Sequence, residues 1–179
     1  MNEIMLSVRP KWCELIASGK KKIEARKTIP KCDVPFKVYI YCTKDRRLTF
    51  WKSKRYCYSD DHSHNLFDTN CNGKVIGEFV CDYIYHNMSY DCEDSCVSTS
   101  DLMKYANGKR LRGWRISDLI IYDKPKQLSE FWKANVVCHR GTQKNDCDGC
   151  WDCEITRPPQ CFCYVERRRE NDLSRLHSS

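Results

Sequence analysis

The chain has 179 residues, 41% of them hydrophobic and 31% charged, with only 7 Gly and 6 Pro. That balance excludes wholesale disorder and leaves enough chain for one domain, or one domain with a sizeable insertion, around a real core. The net charge of +7 permits a phosphate-bearing partner without demanding one.

No apolar run approaches the ~20 residues of a membrane span, and MNEIMLSVRP lacks the basic and apolar regions of a signal peptide. The expectation is a cytoplasmic protein with no membrane partner, whose 14 cysteines are kept reduced.

In chain order, EIMLSV (3–8) is a short strand. Pro10 suits the first turn of a helix, and Trp12, Leu15 and Ile16 fall at i, i+3 and i+4 as its apolar stripe. Gly19 stands where a helix C-cap wants glycine. KKIEARKT follows as a strand with Ile23 and Ala25 on one face and Lys22, Glu24 and Arg26 on the other.

FKVYIYCT (36–43) alternates as a half-buried strand, with Lys37, Tyr39, Tyr41 and Thr43 on its polar side. Residues 44–72 read as a long polar insertion. KVIGEFVCDYIYH (74–86) is another strand, and Gly77 inside it marks a bulge or a close backbone approach. Ser100 is expected to cap a short helix over Leu102 to Ala106, which Gly108 ends.

A strand is expected at Leu119 to Tyr122. Pro125 is then expected to open a helix with Leu128, Phe131 and Trp132 on its apolar face. CFCYVERR is the final strand, and 167–179 is a polar, basic tail expected to fray. Several strands with few, short helices suggest an α+β, mostly β chain built as a small β-barrel decorated by helices.

GKKKIEAR (19–26) is hard to explain by packing. Its Gly, Lys, Glu and Arg stand at fixed offsets that strand physics does not require, although charge runs commonly just solvate an edge strand. The stretch resembles the G-x-K-x-x-E-x-R motif of ASCH domains, relatives of the PUA-like β-barrels. Gly19, Lys21, Glu24 and Arg26 match its four fixed positions.

The resemblance extends to SVRPKWCELIASGKK, to VIGEFV with Glu78, and to RGWRISDLIIYDKPKQLSEF and PPQCFCYVE. The last two are similar to segments of a bacterial and phage-associated subgroup. It implies a PUA-like domain over 1–166 with insertions at 44–72 and 138–154. It also implies a cleft on the barrel face for one nucleotide or base. RNA binding is the usual proposal for the family. Some members hydrolyse an amide on acetylated cytidine, and ribonuclease activity is described among others.

Within such a cleft Lys21, Arg26 and Arg9 could grip phosphate, Lys as a point charge and Arg as a planar fork. Glu24 and Glu78 could accept hydrogen bonds from a base, act as general acid and base if close together, or simply pair with Lys21 or Arg26. The amidohydrolase members use a Lys, a Thr and a Glu. Lys21 and Glu78 match the first and last, but Glu24 stands where the Thr would be. A carboxylate has no proton to lose as a hydroxyl nucleophile does.

Trp114, flanked by Arg112 and Arg115, is read as a base-stacking platform, with a core tryptophan as the alternative. Ser117 could bond a ligand or cap a turn. The expectation is RNA, nucleotide or nucleoside binding by Arg9, Lys21, Glu24, Arg26, Glu78, Trp114 and Ser117. A hydrolase using Lys21, Glu24 and Glu78 is the rival reading.

Cys138, Cys147, Cys150 and Cys153 form C-x8-C-x2-C-x2-C in a loop with little apolar content. Such a loop can close around a structural zinc, with packed thiols as the alternative. An iron–sulfur run would need further spacing that is missing. Cys92 and Cys96 are a weaker pair of candidate ligands.

Overall fold

The computed structural model describes residues 1–52, 69–134, 136, 138, 150 and 152–168. Its strands are β1 (Glu3–Val8), β2 (Ile23–Arg26), β3 (Phe36–Cys42), β4 (Trp51–Lys52), β5 (Thr69–Asn70), β6 (Val75–Cys81), β7 (Ile84–Tyr85), β8 (Arg112–Arg115), β9 (Ser117–Lys126), β10 (Phe131–Lys133) and β11 (Phe162–Arg167). Two helices, α1 (Pro10–Ala17) and α2 (Thr99–Ala106), and single 3₁₀ turns at Glu93–Ser95 and Leu128–Glu130 complete the described elements.

The six-stranded sheet runs β10-β11-β1-β3-β6-β9, and β2-β8-β7 forms a second sheet. β1 pairs in parallel with β3, a pairing that needs a crossover, and α1 with β2 supplies it. Alternation on β1 and β3 sends Ile4, Leu6, Val38 and Ile40 into the main core, together with Phe79, Ile84 and Trp114. Because that core draws on both sheets, they face one another across it as in a small barrel. The mostly β, α+β architecture expected from the sequence is the one observed.

β3 is not half-buried. Tyr39 and Tyr41, expected on a polar face, pack with Met5, Phe131, Ile155 and Val165 in a second cluster. Phe131, Ile155 and Val165 come from the far end of the sequence, which the alternation of β3 cannot foresee. The expected close approach at Gly77 is present: a Cβ there would lie 2.3 Å from the Ile120 carbonyl oxygen, beside two register shifts between β6 and β9.

Three local expectations need correction. Ser98, not Ser100, caps α2, accepting from the Asp101 N–H at 3.2 Å, so the helix starts earlier. Pro125 opens no helix. β9 runs through it, and β9 is an edge strand, where a missing N–H is tolerated. The Gln127–Glu130 capping box then closes a single turn, and Phe131 and Trp132 go to opposite faces of β10.

The expected tail at 167–179 also begins too early. Arg167 ends β11, and Arg168 is buried with its N–H donating to the Glu130 carbonyl. Residues 169–179 lie outside the described residues. The ends of the 44–72 insertion meet as a β4–β5 ribbon, and 53–68 lie outside the described residues. No helix among the described residues is long and apolar enough to cross a membrane.

Candidate functional site

The unusual motif earns its residues through a turn and a buried strand. α1 ends at Ser18, and Gly19 adopts φ +72°, a backbone that favours glycine. The reversal lets the Lys21 N–H reach back to the Leu15 carbonyl at 3.0 Å. Lys21 is thereby set under the helix, its ammonium 5.3 Å from the Trp12 ring centroid. Lys22, one residue on, is exposed beside Asp94.

Every residue of β2 is buried. Ile23 and Ala25 pack on Leu102 and Ala106 of α2. Glu24 and Arg26 take the other face, which points inward and not to solvent: Glu24 lies opposite Trp114 of the core in the β2–β8 ladder.

The three charges form one chain. Glu24 Oε1 forms an ion pair with Arg26 Nη2 at 2.9 Å, and Glu24 Oε2 lies 3.4 Å from Lys21 Nζ. Lys21 Nζ also donates to the Ser95 carbonyl. Arg26 Nη2 donates to the Ser7 carbonyl at 2.7 Å, and its Nη1 to Cys161 Sγ at 3.8 Å. Burial pulls the Arg26 guanidinium down, but Glu24 and the other neighbours outweigh it, so its pKa stands above the ordinary value. Among the described residues, Glu24 Oε2 and Arg26 Nε have no hydrogen-bond partner. Both atoms are sealed from solvent, and Glu24 Oε2 faces the Lys21 ammonium.

These side chains floor a cleft of about 700 Å³. Trp12 and Tyr105 are its aromatic walls, and Arg9, Lys11 and Lys104 supply cations around it, with Asp45 and Asp101 as counter-charges. Lys11 and Lys27 lie 4.7 Å over the Trp12 and Tyr105 rings respectively, so both walls are cation-dressed. Sequence reading missed both walls. The available signal was a lysine adjacent to each ring, at 11–12 and at 104–105.

Of the expected site residues, Arg9, Lys21, Glu24 and Arg26 come together here. Three others do not. Glu78 stands opposite Tyr39, on the side of the six-stranded sheet turned away from the main core. Its carboxylate accepts from Lys37 at 3.0 Å and from the Tyr122 hydroxyl. Burial works to raise its pKa, but Tyr122 and Lys37 outweigh that and hold it below the ordinary value. A Lys21–Glu78 pair is therefore not assembled.

Trp114 is fully buried, edge-on to Phe36 at 5.4 Å and tilted on Phe162 at 5.5 Å, so it is a core residue and not a stacking platform. Ser117 starts β9 beside Asp82, whose pKa Arg115 chiefly holds down at about 2. None of the three lines the cleft.

A second cluster lies behind β10. Cys138, Cys150 and Cys153 are buried with Trp132, and their sulfur atoms all lie within 4.8 Å of one another, an arrangement that could hold a metal ion. Cys147 lies outside the described residues. Cys92 and Cys96 are not in the cluster. Cys96 Sγ donates to the Lys20 carbonyl at 3.3 Å, beside the motif turn.

No family model matches the sequence, and no curated protein matches it. The fold does have solved counterparts. A crystal structure of ASCH from Zymomonas mobilis superposes with a TM-score of 0.55 at 18% identity, covering 99% of this chain and 94% of that one. Two single-substitution variants of the Zymomonas mobilis protein give TM-scores of 0.54 and 0.55 at 17% identity, each covering 99% of this chain and 98% and 95% of theirs. The chain thus has the fold of an ASCH domain.

Proposed function

Proceeding from that fold, we propose that the chain binds RNA or a nucleotide-like ligand in the Trp12–Tyr105 cleft. The observation that carries this reading is the buried Lys21–Glu24–Arg26 chain lying between two aromatic walls. Each part answers one feature of a nucleotide. A base has a π-face for Trp12 or Tyr105, worth roughly 1–3 kcal/mol per stacked base. An exocyclic amino group can donate to the Glu24 carboxylate at the cleft floor. A phosphate meets Lys21, Arg9, Lys11 and Lys104, with the ammonium groups as point charges and the guanidinium as a fork.

Glu24 does two jobs in this reading. It neutralises part of the floor in the empty cleft, and it leaves a net positive site into which an anion can enter. Hydrolysis is less well supported, because Glu78 is committed to Lys37 and Tyr122 and Glu24 has no hydroxyl to offer.

The test is a fluorescence-anisotropy titration with a labelled single-stranded RNA, repeated against mononucleotides and at two salt concentrations. Lys21→Met keeps much of the buried volume and removes the charge. It should weaken a phosphate-bearing ligand roughly tenfold, with melting measured in parallel. If the RNA backbone provides the affinity, log K should fall with log salt by about 0.7 per phosphate contacted, and a mononucleotide should be nearly salt-blind. Unchanged affinity in a folded Lys21→Met protein would remove Lys21 from the site. No binding of either probe by the unsubstituted chain would end the proposal.

A further inference from the structure

The cysteine cluster is remote in kind from the cleft: its ligand set is soft sulfur, and it sits against a tryptophan at the edge of the six-stranded sheet. We infer that Cys138, Cys150 and Cys153 bind a structural zinc ion. Three observations carry this.

First, the spacing of the sulfurs. A tetrahedral zinc with Zn–S near 2.3 Å sets its sulfurs about 3.8 Å apart. Cys138 Sγ and Cys150 Sγ are 3.6 Å apart, far beyond a bonded disulfide, and the third sulfur is within 4.8 Å of both.

Second, the backbone. The Cys153 and Glu154 N–H groups both reach the Cys150 carbonyl at 3.0 Å, a turn that brings the two C-x2-C thiols to the same side.

Third, the charge around them. Arg168 is 4% exposed and stacks on Trp132 with its guanidinium 3.5 Å from the ring centroid. Trp132 in turn packs on the three cysteines. One carboxylate, Glu154, reaches Arg168 at 3.0 Å, and Arg168 Nε has no hydrogen-bond partner among the described residues. A buried cation is costly unless something balances it. Glu154 offsets the charge of Arg168, and a zinc ion with three or four thiolates would add further negative charge one ring away.

Binding would release the thiol protons to solvent and form Zn–S bonds, without any redox change. The three sulfurs are buried, as suits a structural ion, and its work is mechanical. Cys153 accepts from the Lys133 N–H at 2.8 Å, and Glu154 bridges Trp132, so fixing the cysteines fixes the outer edge of β10. Cys147, a fourth ligand by sequence spacing, lies outside the described residues.

The experiment uses the full chain, purified without added metal under reducing conditions, then measured by elemental analysis and after reconstitution with cobalt(II). One zinc per chain is expected, and cobalt should show the intense thiolate charge-transfer and visible bands of a tetrahedral sulfur site. Cys150→Ser and Cys153→Ser should lose most of the metal, whereas Cys92→Ser and Lys21→Met should keep it. If the serine variants do not fold, the cobalt spectrum of the unsubstituted chain still decides. A folded chain that takes up no zinc and shows no thiolate–cobalt band overturns the site, as does iron with labile sulfide. Because Lys21→Met is a control here, failure of the zinc and failure of the cleft reading are separable.

Discussion

Glu24 and Glu78 are both carboxylates on strands, both held by a lysine, and both were candidates for one site. They end on unlike ground. Glu24 is 5% exposed in the floor of a cleft, between two cations, with one oxygen still lacking a hydrogen-bond donor among the described residues. Glu78 is half-buried beyond the opposite face of the sheet, with one oxygen taken by Lys37 and the other by Tyr122. The first lines a cleft within an ion-pair chain and lacks a full set of hydrogen bonds. The second has used its capacity and serves the fold. What separates them is register, since a strand residue's neighbour across the ladder decides which face it joins.

The largest break in that contrast is Glu24→Ala. It leaves Lys21 and Arg26 buried without their shared carboxylate, and removing one member of a buried ionic group costs about 3–5 kcal/mol. A chain of this size should lose about 6 to 20 °C of melting temperature. Glu24→Gln keeps the shape and one acceptor, and should fall between the two. A Glu24→Ala protein that melts like the unsubstituted chain would mean that water already screens the trio.

Next in size are the tryptophans, which sharpen the same contrast between cleft and core. Trp12→Ala should weaken a base-bearing ligand by about 1–3 kcal/mol, or roughly fivefold to 150-fold, in the RNA titration. Trp114→Phe should lower stability through lost packing on Phe36 and Phe162 and leave affinity alone. The reverse pattern, with Trp114→Phe costing affinity in a stable protein, would return the stacking role to β8.

Much of the frame was legible because it is periodic. β1, β3 and β6 announce themselves by alternation, and α1 by Pro10, its apolar stripe and Gly19. Lys21, Glu24 and Arg26 were legible for a different reason: their fixed offsets had no packing rationale. What stayed hidden depends on distant partners. The burial of Tyr39 and Tyr41 needs Phe131, Ile155 and Val165, ninety or more positions away. Trp114 beside Arg112 and Arg115 looks locally as promising as Trp12 beside Lys11. Only the β2–β8 ladder, which sets Trp114 opposite Glu24 and over Phe36, tells them apart. The β9 strand through Pro125 was missed because edge position, which excuses the proline, is a property of the sheet.

The smallest effect is the most discriminating. Glu78→Gln should leave ligand affinity unchanged and cost about 1 kcal/mol of stability at neutral pH, the scale of a part-exposed hydrogen bond to a charged group. Its pH dependence follows from the folded-state pKa lying below the ordinary carboxylate value. Folding then favours the ionised form, so the contribution is complete above the unfolded-state pKa and is lost as pH falls through the folded-state one. Melting curves of the two proteins should therefore lie furthest apart near neutrality and converge in acid. A tenfold loss of affinity in Glu78→Gln would show that Glu78 reaches the ligand after all. Curves that diverge toward acid would mean that Lys37 and Tyr122 do not hold the carboxylate as the geometry says.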